Sequence, residues 1–347
     1  MKMISFIASL MIITCTSVWA QSKPKSAGDL ATYLGADREK ILYEGAKSEG
    51  KVVWYTSLAG ASYKELVKGF EKKYPGVKVE VYRAGSKDIA PKVLNEAQAG
   101  KYLADMLETT PGILLLFHDK KILRRYSSPA LAKFPDDAKI KAEGSSVYWV
   151  TDRESYIGFG YNPKMISPND VPKNYGDLMK PQFKGKLALT TESTSDRVIG
   201  TMIKHRGEEF VKRLAGQEMK LFKVSGPALR DLIIAGEIAG SPAIFRNHVL
   251  VKKAGGAPIE WVPMDAVPTN AGGSAMLAKA PHPHAALLMI DFIIGAEGQG
   301  ILEKFKYGVA WKDYPFKREY PERGMSSGEY NKVLKKWNKL VRSITRK

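Results

Sequence analysis

The chain predicts an α/β fold in two lobes, each built on a parallel or mixed sheet with flanking helices, and three observations carry that prediction. From Lys51 onward, β-branched and aromatic runs alternate with amphipathic stretches at the spacing of β-α-β units. A long extended, aromatic region from Ser146 to Tyr161 then interrupts the alternation, and a second set of units resumes after Pro181. Finally, 347 residues exceed what one hydrophobic core usually holds.

The N-terminus bears on the compartment. Lys2 supplies a positive start, Ile4 to Val18 is apolar, and Val18-Trp19-Ala20 puts small residues before Gln21, which together read as a cleavable secretory signal over residues 1–20. The one cysteine, Cys15, lies inside it; Ile13-Thr14-Cys15 lacks the small residue expected before a lipidated cysteine, so a lipoprotein is the lesser alternative. Its removal leaves a mature chain with neither disulfide nor thiol chemistry, which suits a bacterial periplasm. No later run of about eighteen apolar residues suggests a membrane span. The net charge of +18 falls by one when Lys2 leaves with the signal, and its lysines are dispersed rather than gathered in an arginine-rich arm. Export argues against nucleic acid as partner, and most of the charge reads as solvated surface, with a functional bias toward anions the lesser reading.

In order, Asp29 to Ser48 reads as one helix closed by Gly50, Lys51 to Thr56 as a strand, and Ser62 with Glu65 as a capping box for a helix through Lys73. Val77 to Tyr82 is a second strand, Lys87 to Ala99 a helix with Pro91 in its first turn, and Tyr102 to Leu107 a third strand. Right-handed crossovers put the loops after Tyr55, Tyr82 and Leu107 on one sheet edge. Thr151 to Ser155 interrupts the aromatic crossing. Gly185 to Thr190, Phe222 to Ser225 and Ile238 to Phe245 are the strands of the second set, with helices over Asp196 to His205 and Pro227 to Ala235, the latter capped by Ser225 and ended by Gly236. A further extended stretch, Gly272 to Ala278, precedes an apolar helix from His284 to Gly295. The basic tail helix, Ser326 to Arg346, opens with a capping box and carries an apolar stripe from Tyr330 to Ile344 that fits packing on its own lobe better than a membrane.

The stretch Gly236 to Trp261 is the leading candidate for the ligand site. An apolar strand there turns polar at Phe245-Arg246-Asn247-His248, and α/β sheets present ligands at the carboxyl ends of their strands. A surface loop with an incidental arginine is the plain alternative.

Gly50-Lys51-Val52-Val53-Trp54-Tyr55-Thr56-Ser57, Phe70 to Val79, Gly158-Phe159-Gly160-Tyr161-Asn162-Pro163, and Gly272-Gly273-Ser274-Ala275-Met276 followed by Ala285 to Ile294 resemble family 1 extracellular solute-binding proteins. Among these the chain looks most like the ferric-iron-type periplasmic components of ABC transporters. The resemblance implies a type II-like periplasmic-binding-protein fold: a first lobe of residues 21–150 plus 270–305, a second of 151–269 plus 306–347, extended hinge strands between them, and closure on a ligand. It implies a monomer that delivers its solute to an inner-membrane permease, without a cofactor. Ferric members place adjacent tyrosines after a strand of the second lobe. Here those positions hold Asn247-His248, a poor substitute for anionic oxygen ligands of a hard ion.

Arg246, Asn247 and His248 instead suit an oxyanion, through bidentate guanidinium bonds and a histidine donor whose charge varies with pH. Ser57, Arg83 with Ser86, Thr109, Thr110, Thr194, Ser195 and Ser225 occupy the other strand-to-helix loops, where hydroxyls and free amides seat anions, although each serine or threonine is equally suited to an ordinary cap. The expected ligand is a small organophosphate, phosphonate or carboxylate. The alternatives are a ferric carrier using Tyr55, Glu108 or Tyr161, a secreted hydrolase, and a cationic surface protein. No H-E-x-x-H, G-x-S-x-G or P-loop pattern supports the hydrolase, and His282-Pro283-His284 reads as solvent-facing punctuation rather than a metal site.

Overall fold

A computed structural model describes residues 24, 26–58 and 60–346, so the signal read from residues 1–20, Cys15 included, lies outside the described residues. The first helix is divided: α1 (Ala27–Thr32) and α2 (Arg38–Glu49) replace the single helix expected over Asp29 to Ser48. Side chains take over the break. The Tyr33 hydroxyl donates to Asp37, and the Arg38 guanidinium donates to the Tyr33 carbonyl and, at 2.8 Å, to Asp291.

β1 (Lys51–Thr56), α3 (Ser62–Lys73), β2 (Lys78–Arg83), α4 (Ser86–Gln98), β3 (Met106–Thr109) and α5 (Pro111–Asp119) follow as β-α units, with β2 and β3 both parallel to β1. Three local expectations are corrected. Ser62 is the first residue of α3, behind an Ala61 N-cap, so no capping box forms with Glu65. Pro91 sits in the second turn of α4. β3 starts late because the Asp105 carboxylate, rather than a neighbouring backbone carbonyl, accepts the Val53 amide at 2.7 Å, and the strand then runs on through Thr109.

Short strands β4 (Leu123–Arg124) and β5 (Lys139–Lys141) lead to β6 (Val147–Tyr161), fifteen residues long. It passes straight through Thr151 to Ser155, where an interruption was expected. The chain absorbs that charged segment as a bulge at Asp152: Gly272 pairs with Arg153 and Gly273 with Thr151. The second set comprises β7 (Ala188–Thr190), α6 (Ser193–Arg206), α7 (Glu208–Arg213), β8 (Met219–Phe222), α8 (Gly226–Ala235), β9 (Gly240–Phe245), α9 (Arg246–Ala254) and β10 (Glu260–Val262). β11 (Val267–Leu277), α10 (Pro283–Ile294), α11 (Ala296–Lys304), β12 (Arg318–Glu319), α12 (Ser327–Ser343) and β13 (Thr345–Arg346) complete the chain.

The sheets explain the two lobes. β6 begins beside β5 and β11, while β11 also pairs antiparallel with β3; the second half of β6 lies between β9 and β10. A parallel bridge from Leu187 to Gly240 joins β9 to the β7-β8-β13 ladder. Accordingly β6 gives Val147 and Val150 to a core with Trp54, Phe70 and Met106, then Ile157 and Phe159 to a core with Phe183 and Trp337. Each fully buried aromatic contributes about 1.5–3 kcal/mol. The tail helix keeps its expected capping box, Ser326 with Glu329, and lays Tyr330, Trp337, Leu340 and Val341 against the second core. There a Cβ on Gly200 would lie 2.6 Å from the Trp337 ring, so the glycine permits the close approach.

Candidate ligand-binding cleft

The carboxyl ends of β1, β2 and β3 are on one edge of the first lobe, as expected, and its chemistry centres on a buried carboxylate. Glu108 Oε2 accepts from Thr56 Oγ1 at 2.6 Å, from the Ser57 amide at 3.1 Å and from Ser57 Oγ at 3.4 Å. Its Oε1 takes Arg153 Nε at 3.0 Å and Nη2 at 2.9 Å. Both side chains are almost fully buried, so the pair is held by satisfied hydrogen bonds rather than by charge alone. A Cβ on Gly272 would fall 2.6 Å from Glu108 Oε1, which explains why β11 carries glycine there. Next to the pair, burial first and the Glu108 charge second push Asp152 up to about 8, while Ser274 Oγ donates to it at 2.5 Å.

Other predicted residues of this lobe are less involved. Arg83 is exposed and its Nε donates to the Leu58 carbonyl at 3.1 Å, so it braces the β1 loop. Ser86 starts α4 behind Gly85, and Thr110 is the N-cap of α5. Thr109, expected in a loop, is a buried strand residue opposite Gly273 whose Oγ1 has no partner among the described residues.

On the second lobe, Thr194 and Ser195 are not loop residues but lie in the first turn of α6, which begins at Ser193. Ser195 Oγ accepts the Thr190 amide at 3.0 Å, a structural bond. The same turn brings Asp196 and Arg197. Burial pushes Asp196 up to about 6, opposed by Asn338, Arg197 and, from α4 of the other lobe, Lys87. Arg197 is buried, donates to Ser193 Oγ at 3.1 Å, and has Nε 3.7 Å from Glu322, whose two oxygens have no hydrogen-bond partner among the described residues. Burial opposes its charge most strongly, Tyr330, Glu322 and Asp196 favour it, and Arg153 of the hinge adds a smaller repulsion.

The polar end of β9 is organised differently from the expectation. Arg246, Asn247 and His248 form the first turn of α9 instead of a strand end. The N-cap is Phe245, an apolar residue that supplies no side-chain bond to the leading amides. Pairing of Ile157 with Phe245 sets this turn beside the hinge, near Ser155 and its partner Asn270. Arg246 makes no ion pair among the described residues, and Asn247 is buried with Oδ1 unpartnered. His248 turns away under α8: its ring lies edge-on to Phe245 at 5.1 Å and within 4.0 Å of a Cβ built on Gly226. Burial, then the nearby Arg230, hold it down to about 4, with Asp231 pulling weakly upward. It is therefore a neutral imidazole near pH 7, not the pH-variable donor expected. Ser225, the neighbouring residue, caps α8 by accepting the Ala228 amide at 3.4 Å.

Sequence reasoning missed Arg153, Asp196, Arg197 and Glu322 and treated Glu108 only as a metal alternative. The signal was present, since charges flanked by Val147 to Val150 and Tyr156 to Tyr161 had to be buried with partners. The tyrosine alternatives do not assemble. The Tyr55 hydroxyl donates to Glu96 at 2.7 Å, and Tyr161 lies eight residues along β6 from Arg153, roughly 26 Å at strand rise. Nor do the paired histidines face solvent freely: His282 Nδ1 lies 2.9 Å from Asp105 and His284 Nδ1 2.7 Å from Glu49.

Residues 65–315 match the family described as bacterial extracellular solute-binding protein. The chain belongs to that family. Among its relatives is an Fe(3+)-binding periplasmic protein of Serratia marcescens, 22% identical over 282 residues, 77% of this chain and 81% of the relative. The fold of this solute-binding protein is shared with iron-bound HitA from Pseudomonas aeruginosa, at 20% identity and a TM-score of 0.69, over 83% of this chain and 99% of that one. It is shared equally with the periplasmic binding protein AfuA from Actinobacillus pleuropneumoniae with exogenous fructose-6-phosphate bound, at 23% identity and a TM-score of 0.69, over 85% and 99%. Likeness at these identities carries the two-lobed fold and leaves the ligand to the site.

Proposed function

We propose that the protein is a periplasmic receptor that captures a small anionic solute between its lobes and hands it, as a monomer, to an inner-membrane ABC permease. The solute class is organophosphate, phosphonate or carboxylate. The first turn of α9 carries this reading: it combines leading amides that no side chain caps with the Arg246 guanidinium, which has no ion pair among the described residues. Donors of this kind stay costly until an anion satisfies them. The lobes are taken as residues 21–150 with 270–305 and 151–269 with 306–347, β6 and β11 acting as hinge. Ser57, Ser86 and Thr110 then line the approach, Thr109 and Thr194 lie buried behind it, Arg83, Ser195 and Ser225 brace the loops, and His248 packs against Phe245.

A ferric cargo is the second reading, supported by the iron-binding relatives. Against it stand Asn247 and His248 at the positions of the tyrosine pair, with the imidazole turned under α8. A carrier is preferred to a hydrolase because Ser57 Oγ donates to a carboxylate already holding Thr56 and Arg153, and Ser274, bonded to Asp152, is fully buried. The test is a thermal-shift screen of the mature protein against sugar phosphates, phosphonates, carboxylates and ferric citrate, since a ligand of the native state raises apparent stability. An oxyanion hit supports the reading. Stabilisation by iron alone, with stoichiometric uptake, overturns it.

A further inference from the structure

A second concave site lies at the opposite end of β3 from the cleft. Ala104, two residues before the strand, forms part of its floor, and about six residues of extended chain, roughly 20 Å, separate it from Thr110. The groove between the ends of α4, α5 and β11 holds about 240 Å³, a little less than a typical drug-sized site and room for one short-chain molecule. Its floor is apolar, with Val93, Ala104 and Leu277 buried, and Leu103 stands half exposed at its edge.

Four lysines ring that floor: Lys101, Lys120, Lys121 and Lys279. None has a carboxylate within ion-pair distance among the described residues; Lys279 has only the Tyr102 hydroxyl, at 2.9 Å. The one carboxylate of the lining, Glu96, is already occupied by Lys92 at 2.8 Å and by the Tyr55 hydroxyl. The C-termini of α4 and α5 offer roughly half a negative charge each, which four ammonium groups exceed. Lys121 is also one of three non-glycine residues described with positive φ, at 55°, so the rim is held by a backbone conformation that a lysine adopts at a cost.

We propose that this groove binds an anionic amphiphile: a carboxylate, sulfonate or phosphate head on the lysine rim and an apolar body against Val93, Leu103 and Leu277. Neither half of the site explains the other. A purely cationic patch needs no apolar floor, and an apolar groove gains nothing from four uncompensated lysines. The occupant is a soluble molecule, because the floor is concave and holds one body of that size.

The test is calorimetric titration of the full mature chain with decanoate, with decan-1-ol as the neutral counterpart. One decanoate should bind per chain, more weakly as salt rises, and at least tenfold more tightly than the alcohol. Lys101→Glu with Lys120→Glu should weaken it at least tenfold, and Leu103→Glu should do so independently, with melting midpoints of all variants unchanged. Arg246→Ala should leave it intact. Absence of decanoate binding, equal binding of the alcohol, or indifference to the lysine reversals would overturn the assignment. So would loss in Arg246→Ala, which would put decanoate in the cleft, or binding to phosphatidylglycerol vesicles without binding to decanoate, which would make the patch a membrane contact.

Discussion

The two edges that face each other across the cleft are built on opposite principles. At the end of β1 and β3, Glu108 is saturated: Thr56, Ser57 and Arg153 together satisfy both carboxylate oxygens. At the end of β9, the leading amides of α9 and the Arg246 guanidinium keep unspent donor capacity among the described residues. The first edge is therefore a framework that fixes where β6 and β11 cross, and the second is the edge that we propose holds the ligand. Charge density alone does not distinguish them. The free donors at the start of α9, set against a carboxylate already holding its donors, do.

That contrast can be broken from either side. The largest effect belongs to the framework: Glu108→Leu strands a buried guanidinium and should cost about 3–5 kcal/mol in urea unfolding. The double variant with Arg153→Leu should recover much of that loss, and a double variant as unstable as the single one would mean the pair is not what Glu108 provides. Next comes His248. Its folded value, held near 4, lies below the unfolded value of about 6.5, so the unfolded chain binds the proton first. The stability it contributes is present above pH 6.5 and is lost as pH falls toward 4, on the order of 2 kcal/mol for a ring that is only part-buried. Denaturation of His248→Gln should show that slope flattened, while affinity for a carboxylate ligand, whose own charge is constant between pH 6 and 8, stays level there in the parent. Smallest is Ser225→Ala, which should remove about 1 kcal/mol through the lost α8 cap and leave ligand affinity unchanged. A binding defect there would move Ser225 from the framework to the ligand.

Much of this was legible in the sequence because it is local. The alternation of strand and helix, the Ser225 and Gly236 punctuation and the Ser326 capping box depend on neighbours within a few residues. The site was legible only in outline. Loop positions followed from sheet topology, but whether a serine caps, braces or binds depends on contacts the sequence does not order. Arg83 reaches the Leu58 carbonyl across 25 residues, and Arg153 reaches Glu108 across 45. The start of α9 was misread because the apolar run to Phe245 has strand periodicity, and an apolar N-cap gives no start signal. Burial of Thr151 to Ser155 was misread for a related reason: five polar residues resemble a turn unless another strand supplies their partners.

Central to the account is that the unspent donors of α9 hold the ligand. Titration calorimetry of the best oxyanion from the screen against the parent and Arg246→Ala tests this most directly, with unfolding of both as control. A charge-assisted bond contributes about 1.5–3 kcal/mol, so affinity should fall roughly 10- to 150-fold while stability moves by less than about 0.5 kcal/mol. An Arg246→Ala protein that binds within twofold of the parent would contradict the account.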